Sequence, residues 1–380
     1  MPNLYRSVRL LLRLPDVGVA TYWRLIDEFG SIEQILAQSH EVLRAFLSQK
    51  AVSALGEYQR LGEACALGRL LFDEERYLAQ QDDIYLIGYH DPLYPQLLKE
   101  IPKPPPLLYV RGNPVNLSLP QIAMVGARNP TPSGSEIAVE FARHLSAQGF
   151  AITSGLALGI DAAAHEGALA AEGITIAVMG TGIDKIYPSR HQQLAEAIVR
   201  RGGCLVTEFP LGTAAQASHF PQRNRLISGL CLGLLVVEAA VKSGSLITAS
   251  YAVQHNREVF AIPGSIRNPT ARGCHQLIRE GAVLVEQASD MIDHLNGFLQ
   301  LKQAEATPKR ALQPQKFTHT EDFDCNEVQL LDALSYDTVP MDLLLQRVSM
   351  DVGVVISCLM GLEIKGVVKQ TPHGYMKVGT

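Results

Sequence analysis

QIAMVGARNPTPSGSEIAVEFARHLSAQGFAITSGLALGIDAAAHEGALAAEGITIAVMGTG, residues 121–182, alternates two kinds of pattern. QIAMVG, FAITSG and ITIAVMG are short, nearly unbroken apolar runs rich in β-branched residues, and each closes on a glycine. SGSEIAVEFARHLSAQG and GIDAAAHEGALAAEG, between them, place apolar residues at helical spacing. A strand that is apolar at every position is buried on both faces. Strands of that kind alternating with helices predict a parallel, doubly wound sheet of the extended Rossmann-like type. GCLVTEF (203–209), LGLLVVEA (232–239), EVFAIPG (258–264) and AVLVE (282–286) continue the pattern. In such a sheet the working loops lie at the carboxyl ends of the strands.

Outward from this core the text changes. VRLLLRLPDVGVATYWRLIDEFGSIEQIL (8–36) has helical periodicity broken at Pro15, Gly18 and Gly30. Residues 1–85 therefore read as a small helical domain, and residues 86–303 as the Rossmann-like domain. Leu-Pro-x-Val-Gly between two helices is the pattern of a helix-hairpin-helix, whose glycine admits a DNA phosphate; a plain tight turn gives the same text. Residues 304–324 are polar, Pro-containing and aperiodic, and read as a linker. NEVQLLDAL, MDLLLQRV and VGVVISCLMGLEIKG then give three helices, and GVVKQTPHGYMKV a hairpin turning near residues 372–374. Three helices and a hairpin predict a winged helix over 325–380. Its third helix, residues 351–363, contains neither Arg nor Lys, which favours a protein contact or a structural role over duplex reading.

The 380 residues carry 33 Lys+Arg against 38 Asp+Glu, a net charge of −5, which excludes a globally basic nucleic-acid binder. Positive charge is nevertheless concentrated locally. Residues 220–280 hold seven Arg or Lys against three Glu. The longest apolar run, 229–237, is far short of the ~20 residues of a membrane span. The N-terminus lacks a signal-peptide pattern, and the six cysteines show no CxxC or Cys/His spacing. A reduced cytoplasmic protein without metal or disulfide framework is expected.

Five loops carry the candidate chemistry. VGARNPTPSG (125–134) is not GxGxxG, so a dinucleotide fingerprint is missing, but it offers Gly126 for close backbone approach and Arg128 for a phosphate. SGLALGIDAAAH (154–165) offers Ser154, Gly155 and Gly159 ahead of a helix N-terminus, with Asp161 as its expected cap. His165, one turn on, is expected to pack or hydrogen-bond locally. GTGIDKIYP (180–188) contributes Gly180 and Gly182. HFPQRNRLISG (219–229), read as a loop, supplies Phe220 as a stacking face with Arg223, Asn224 and Arg225 as phosphate donors, the composition of a single-strand platform. KSGSLITAS (242–250) joins Lys242 to the start of a helix at Gly244, Ser245 and Thr248. A set of loops along the strand ends suits an extended polyanion better than one small pocket. No G-x-S-x-G elbow, Walker lysine or HExxH is present, and Cys204 lies in a strand run, so no catalytic residue is assigned.

Taken together, YPQLLKEIPKPPPLLYVRGN, IAMVGARNPTPSG, TSGLALGIDAAAH, GTGIDKIYP, TEFP, FPQRNRLISGL, VVEAAVKSGSLITA, EVFAIPG and GCHQLIREGA resemble, in family order, the DprA/Smf family of bacterial DNA-processing proteins. Lys103 stands where that family often has an acidic residue. The resemblance implies a cytoplasmic homodimer without catalytic activity or cofactor that binds single-stranded DNA and loads RecA onto it in natural transformation. It also implies that Arg128 and the loops 155–161 and 220–225 line the DNA site. A homodimer contact is expected at the sheet's last elements, around Gln276, Leu277, Ile278 and Val283, because an exposed apolar edge needs cover. The rival reading is a nucleotide-hydrolysing, phosphoribohydrolase-like enzyme on a similar sheet. That group's PGGxGTxxE signature is missing here; PGSIRNP (263–269) lacks both the glycine pair and the glutamate.

Overall fold

The computed structural model describes residues 5–295, 324–334, 339–348, 350–365, 367–371 and 374–377. Two compact units divide the chain, residues 1–304 and 305–380.

The first unit opens with helices α1 (Arg6–Arg13), α2 (Val19–Phe29), α3 (Ile32–Leu36), α4 (His40–Leu43), α5 (Gln49–Leu61) and α6 (Ala66–Ala79). Then follow β1 (Ile84–Gly88), α7 (Gln96–Lys99), β2 (Leu107–Gly112), β3 (Gln121–Val125), α8 (Pro132–Ala147), β4 (Ala151–Ser154), α9 (Ile160–Ala170) and β5 (Thr175–Val178). The remainder is α10 (Gln192–Arg200), β6 (Cys204–Thr207), α11 (His219–Leu230), β7 (Gly233–Val236), α12 (Gly244–Gln254), β8 (Glu258–Ala261), α13 (Arg272–Arg279), β9 (Val283–Leu284) and the helical residues 288–295 (α14). The strands form one nine-stranded sheet in the order β1-β2-β6-β5-β4-β3-β7-β8-β9. From β6 to β9 every pairing is parallel, while β2 pairs antiparallel with both β6 and β1. The mostly parallel sheet is as the sequence predicts. The two antiparallel strands β1 and β2 are not in the sequence reading.

The core explains why the strands are apolar at every position. In β3, Ala123 and Val125 join a cluster with Leu226, Ile227, Ala249 and Ala252 of α11 and α12. Ile122 and Met124, pointing the other way, join Ala138, Phe141, Ala142 and Ala164 of α8 and α9. Along β5 the split is the same: Ile176 and Val178 face the first cluster, while Ala177 faces a third that holds the N-terminal helices. That third cluster joins Leu10, Leu11, Leu25, Leu55 and Leu71 to Leu107, Tyr109 and Leu205 of the sheet. A polar network backs it: Glu74 accepts from Tyr109 Oη (2.6 Å) and from Arg13 Nε (3.0 Å), and Arg9 Nη2 donates to Glu75 (2.8 Å). The turn Leu14–Gly18 joins α1 to α2, with Asp16 at φ 62° and Gly18 as the extended N-cap.

In the second unit the described helices are α15 (Cys325–Ala333), α16 (Met341–Arg347) and α17 (Val352–Ile364), followed by the hairpin β10 (Val368–Thr371) and β11 (Gly374–Lys377). Leu330, Leu344, Val355, Leu359 and Leu362 are its core. The expected helices and hairpin are all present. The expected linker lies outside the described residues except for Asp324, which belongs to the domain: it closes a capping box with Glu327 at the start of α15. Residues 372 and 373 of the expected turn also lie outside them. Among the described residues, no single helix is long and apolar enough to cross a membrane, and no cluster of His, Cys, Asp or Glu could hold a metal ion.

Candidate nucleic-acid interface

From β3 the chain winds outward through β4, β5 and β6; from β7 it winds the other way through β8 and β9. The order reverses between β3 and β7, and ligands of open α/β sheets bind at such a switch point, outside the strand carboxyl ends. A cavity of about 570 Å³ lies there, lined from all five predicted loops. Gly126 and Arg128 come from the loop after β3, Asp161 from that after β4 and Tyr187 from that after β5. Phe220, Arg223 and Asn224 follow β6, and Gly244, Ser245 and Thr248 follow β7.

The loops after β3 and β7 are tied together at the switch point. The Glu238 carboxylate, nearly buried, accepts from Thr131 N (2.9 Å) and Thr131 Oγ1 (2.6 Å). Thr131 in turn caps α8 by accepting from Gly134 N (3.0 Å). A Cβ on Gly126 would stand 2.6 Å from Ile160 Cγ1, so this residue must be glycine for the loop to lie against α9.

The loop after β4 is built differently from the sequence expectation. Gly159, at φ 78°, occupies the N-cap of α9, and Asp161 sits inside the first turn. Its Oδ2 accepts from the backbone N–H groups of Gly155 (3.1 Å) and Ala157 (3.3 Å), so it holds the loop instead of capping the helix. Burial pushes the Asp161 pKa up, while Arg223 and the two amides pull it back. Arg223 is itself buried, and burial lowers its pKa to about 10. Its Nη1 donates to Val178 O (2.6 Å), and it crosses Gly155 so closely that a Cβ there would stand 1.9 Å from Nη1. Ser154 is buried and donates to Met124 O (2.6 Å). His165 is fully buried, with Nδ1 2.7 Å from Thr175 Oγ1, the local hydrogen bonding expected of it.

HFPQRNRLISG is not a loop. Residues 219–230 form α11, whose first two turns carry the polar cluster and whose Leu226, Ile227 and Leu230 enter the core. This separates residues that looked equivalent. Phe220 and Asn224, four apart, line the cavity. Arg225 turns away: it pairs with the buried Glu208 and donates to Lys103 O (2.9 Å). Burial pushes the Glu208 pKa up, with Arg225 opposing. Of the three expected phosphate donors, Arg223 is committed to the fold, Arg225 to an ion pair, and Asn224 reaches only Gly244 O at 3.5 Å.

Arg128 is exposed, with its guanidinium carbon 5.5 Å from the Phe220 ring centre. Tyr187, half exposed, lies on the same ring, its centroid 5.5 Å away and tilted 38°. Gly180 makes room for the ring, since a Cβ there would stand 3.1 Å from Phe220 Cδ1, and Gly182 packs under Pro210 O. Across the cavity, Ser243 caps α12 by accepting from Ser245 N (3.3 Å), leaving Gly244 exposed as its first residue. The Thr248 hydroxyl is buried without a hydrogen-bond partner, as is Arg223 Nε. Lys242 is exposed just before the cap and does not line the cavity.

Sequence reasoning missed Tyr187, Glu238 and Glu208. Tyr187 was visible as an aromatic next to Pro188 in a Gly-rich loop; the carboxylates act through partners 107 and 17 residues away. At the far edge, Leu277 and Ile278 of α13 are partly buried against the sheet's own core, Val283 lies on the edge strand β9, and Gln276 donates to Glu280 (2.9 Å).

Switch-point cavity, Gly-shaped loops and winged-helix unit define a doubly wound α/β protein with a cationic and aromatic site at its strand ends. The chain belongs to the DprA/Smf family. Residues 85–296 match the family described as DNA recombination-mediator protein A, and residues 313–374 match the DprA winged helix domain. It is 38% identical to Protein Smf of Escherichia coli, over 79% of each chain. Against the DNA processing protein DprA of Streptococcus pneumoniae it is 44% identical, over 57% of this chain and 79% of that one. The solved structure of DprA from S. pneumoniae superposes with a TM-score of 0.64 at 33% identity, covering 77% of this chain and 96% of that one. That of DNA processing protein A from Helicobacter pylori, a protein with a single-stranded DNA binding mode of its own, gives 0.51 at 27% identity, covering 57% and 96%.

Proposed function

We propose that this chain binds single-stranded DNA in the switch-point cavity, without strong sequence choice, and passes the strand to RecA in transformation and recombination. The observation that carries the reading is Arg128 over Phe220, with Tyr187 on the same ring and the α12 N-terminus across the cavity. Aromatic faces accept any base, and a cation with helix-terminal amides accepts any phosphate. Neither reads base edges, so sequence choice is weak. The single-strand binding of the H. pylori relative and the family's description as a recombination mediator support the same reading.

The protein works in the cytoplasm as a homodimer, which doubles the cationic path of a chain whose net charge opposes DNA at long range. Exposed apolar side chains near the sheet edge, Ile266 (81%) and Leu284 (46%), support a partner there. It has no catalytic role. Among the described residues, the one carboxylate lining the cavity, Asp161, is engaged by two backbone amides. A gel-shift series on single-stranded and duplex DNA of equal length tests the reading: single strands bind more tightly at every salt concentration. Equal or tighter duplex binding contradicts it, and base release from a nucleotide panel would favour the hydrolase instead. For the RecA step, the protein shortens the lag before RecA hydrolyses ATP on a single strand.

A further inference from the structure

The loop after β8, residues 262–271, does not line the cavity but is built against the loop that does. Ala239 N, just past β7, donates to Thr270 O (2.6 Å), and Gly273 N donates to Ala239 O (2.8 Å). A Cβ on Gly273 would stand 2.5 Å from Ala239 O, so glycine is what lets the start of α13 press on the β7 loop. The β8 loop is also fixed from within. Asn268 Oδ1 accepts from Thr270 N (3.0 Å) and Thr270 Oγ1 (2.8 Å), and His275 Nε2 lies 3.0 Å from Gly264 O. Ser243 N donates to Ala240 O (2.9 Å), so the same β7 loop turns directly into α12 at the cavity wall.

Residues 239–247 and 262–275, the two joined loops, hold Lys242, Arg267 and Arg272 and no Asp or Glu. All three cations are exposed, and among the described residues none has a salt bridge or a side-chain hydrogen bond. Arg111, Arg225 and Arg257, by contrast, each pair with a carboxylate. The opposite flank of the cavity is mixed in sign: Asp184 adjoins Lys185 after β5, and the buried Glu208 follows β6. On a chain of net charge −5, three free cations on adjoining loops form a local positive ledge.

We propose that a single strand leaving the cavity runs over Lys242 to Arg267 and Arg272, so that the loop after β8 is a second phosphate subsite outside the cavity. The proposal rests on the reading of the cavity as the single-strand site. A cavity of about 570 Å³ holds only a short piece of a strand, and the rest must cross its rim. β8 is the next strand beyond β7, so the ledge continues the path that the α12 N-terminus begins. Arginines on an exposed loop hold phosphates and leave base edges unread, so this subsite adds affinity without sequence choice.

The test compares the full chain with Arg267→Gln/Arg272→Gln and with Arg128→Ala, on a tetranucleotide and on a strand of about thirty nucleotides, across salt. On the long strand the double variant is expected to bind about tenfold more weakly at low salt, with the log–log slope flattened by about 1.4, two phosphates' share. Its tetranucleotide binding, melting temperature and mass in solution stay as in wild type, and Arg267→Lys/Arg272→Lys keeps the wild-type slope. A wild-type slope for the double variant overturns the proposal, and so does an equal loss on the tetranucleotide, which would put both arginines in the cavity. A lowered melting temperature or a changed mass overturns it too, because the arginines then act through the fold or the assembly. Arg128→Ala separates the two levels. If it weakens both strands while the double variant weakens neither, the ledge alone fails; if it weakens neither, the cavity reading fails and the ledge with it.

Discussion

At the scale of the residue, Arg128 and Phe220, the groups proposed to touch DNA, differ from Asp161, Arg223 and Glu238, which shape the site. Arg128 is exposed and forms no salt bridge among the described residues, so Arg128→Ala weakens single-strand binding and flattens the log–log salt dependence by about 0.7, one phosphate's share. Phe220→Ala costs about 1–3 kcal/mol of binding if a base stacks there, with the salt slope unchanged. A salt series on both variants, with melting temperatures as the folding control, checks this; wild-type binding by both places the site elsewhere. His165 gives a prediction about stability. Burial lowers its pKa to about 3, with His191 and Arg223 adding to the effect. The unfolded chain, near 6.5, then binds the proton first as pH falls. His165 stabilisation is full above pH 6.5 and is lost towards pH 3, at up to ~1.4 kcal/mol per pH unit. Denaturant unfolding between pH 7 and 5 should fall less steeply for His165→Gln than for wild type; identical slopes would show that His165 is not held neutral.

At the scale of the element, α11 is where sequence and structure part. Phe220, Arg223, Asn224 and Arg225 read as one cluster, but a helix turns consecutive residues to different sides. Cavity, core and ion pair therefore share them out, and spacing of four, Phe220 to Asn224, was the only legible clue. Arg225→Ala leaves the buried Glu208 without its cation, which costs about 3–5 kcal/mol of stability. Chemical denaturation checks the contrast with Arg128→Ala, which leaves stability unchanged. Strands β3 to β8 were legible because burial on both faces makes them largely apolar, and the short edge strand β9 because Val283 and Leu284 sit in an apolar run. β2 was not, because Leu107 follows three prolines, and β1 was not, because Tyr85 is exposed and breaks the run. Asp161 looked like a cap because Asp near a helix start usually is one. Gly159, at positive φ, takes that place, and sequence alone does not choose between them.

At the scale of the whole molecule, four of the predicted loops and α11, the fifth, converge because the strand order reverses between β3 and β7. The loops were visible in the sequence; their convergence on one cavity depends on pairing between strands far apart in the chain. Light scattering at micromolar concentration should give about twice the 41.4 kDa chain mass, and a single-chain mass at concentrations that bind DNA tightly would remove the dimer. Leu277 and Ile278 are partly buried in their own sheet, so Ile266→Glu, at an 81% exposed position, is the cleaner interface variant; it yields folded monomers with weaker single-strand binding. The central claim is that the strand runs through the switch-point cavity. Ultraviolet cross-linking of the full chain to a single strand carrying 5-iodouracil, mapped by mass spectrometry, tests it most directly. The account predicts adducts on Phe220 and Tyr187; adducts confined to the N-terminal helices or to α17 would contradict it.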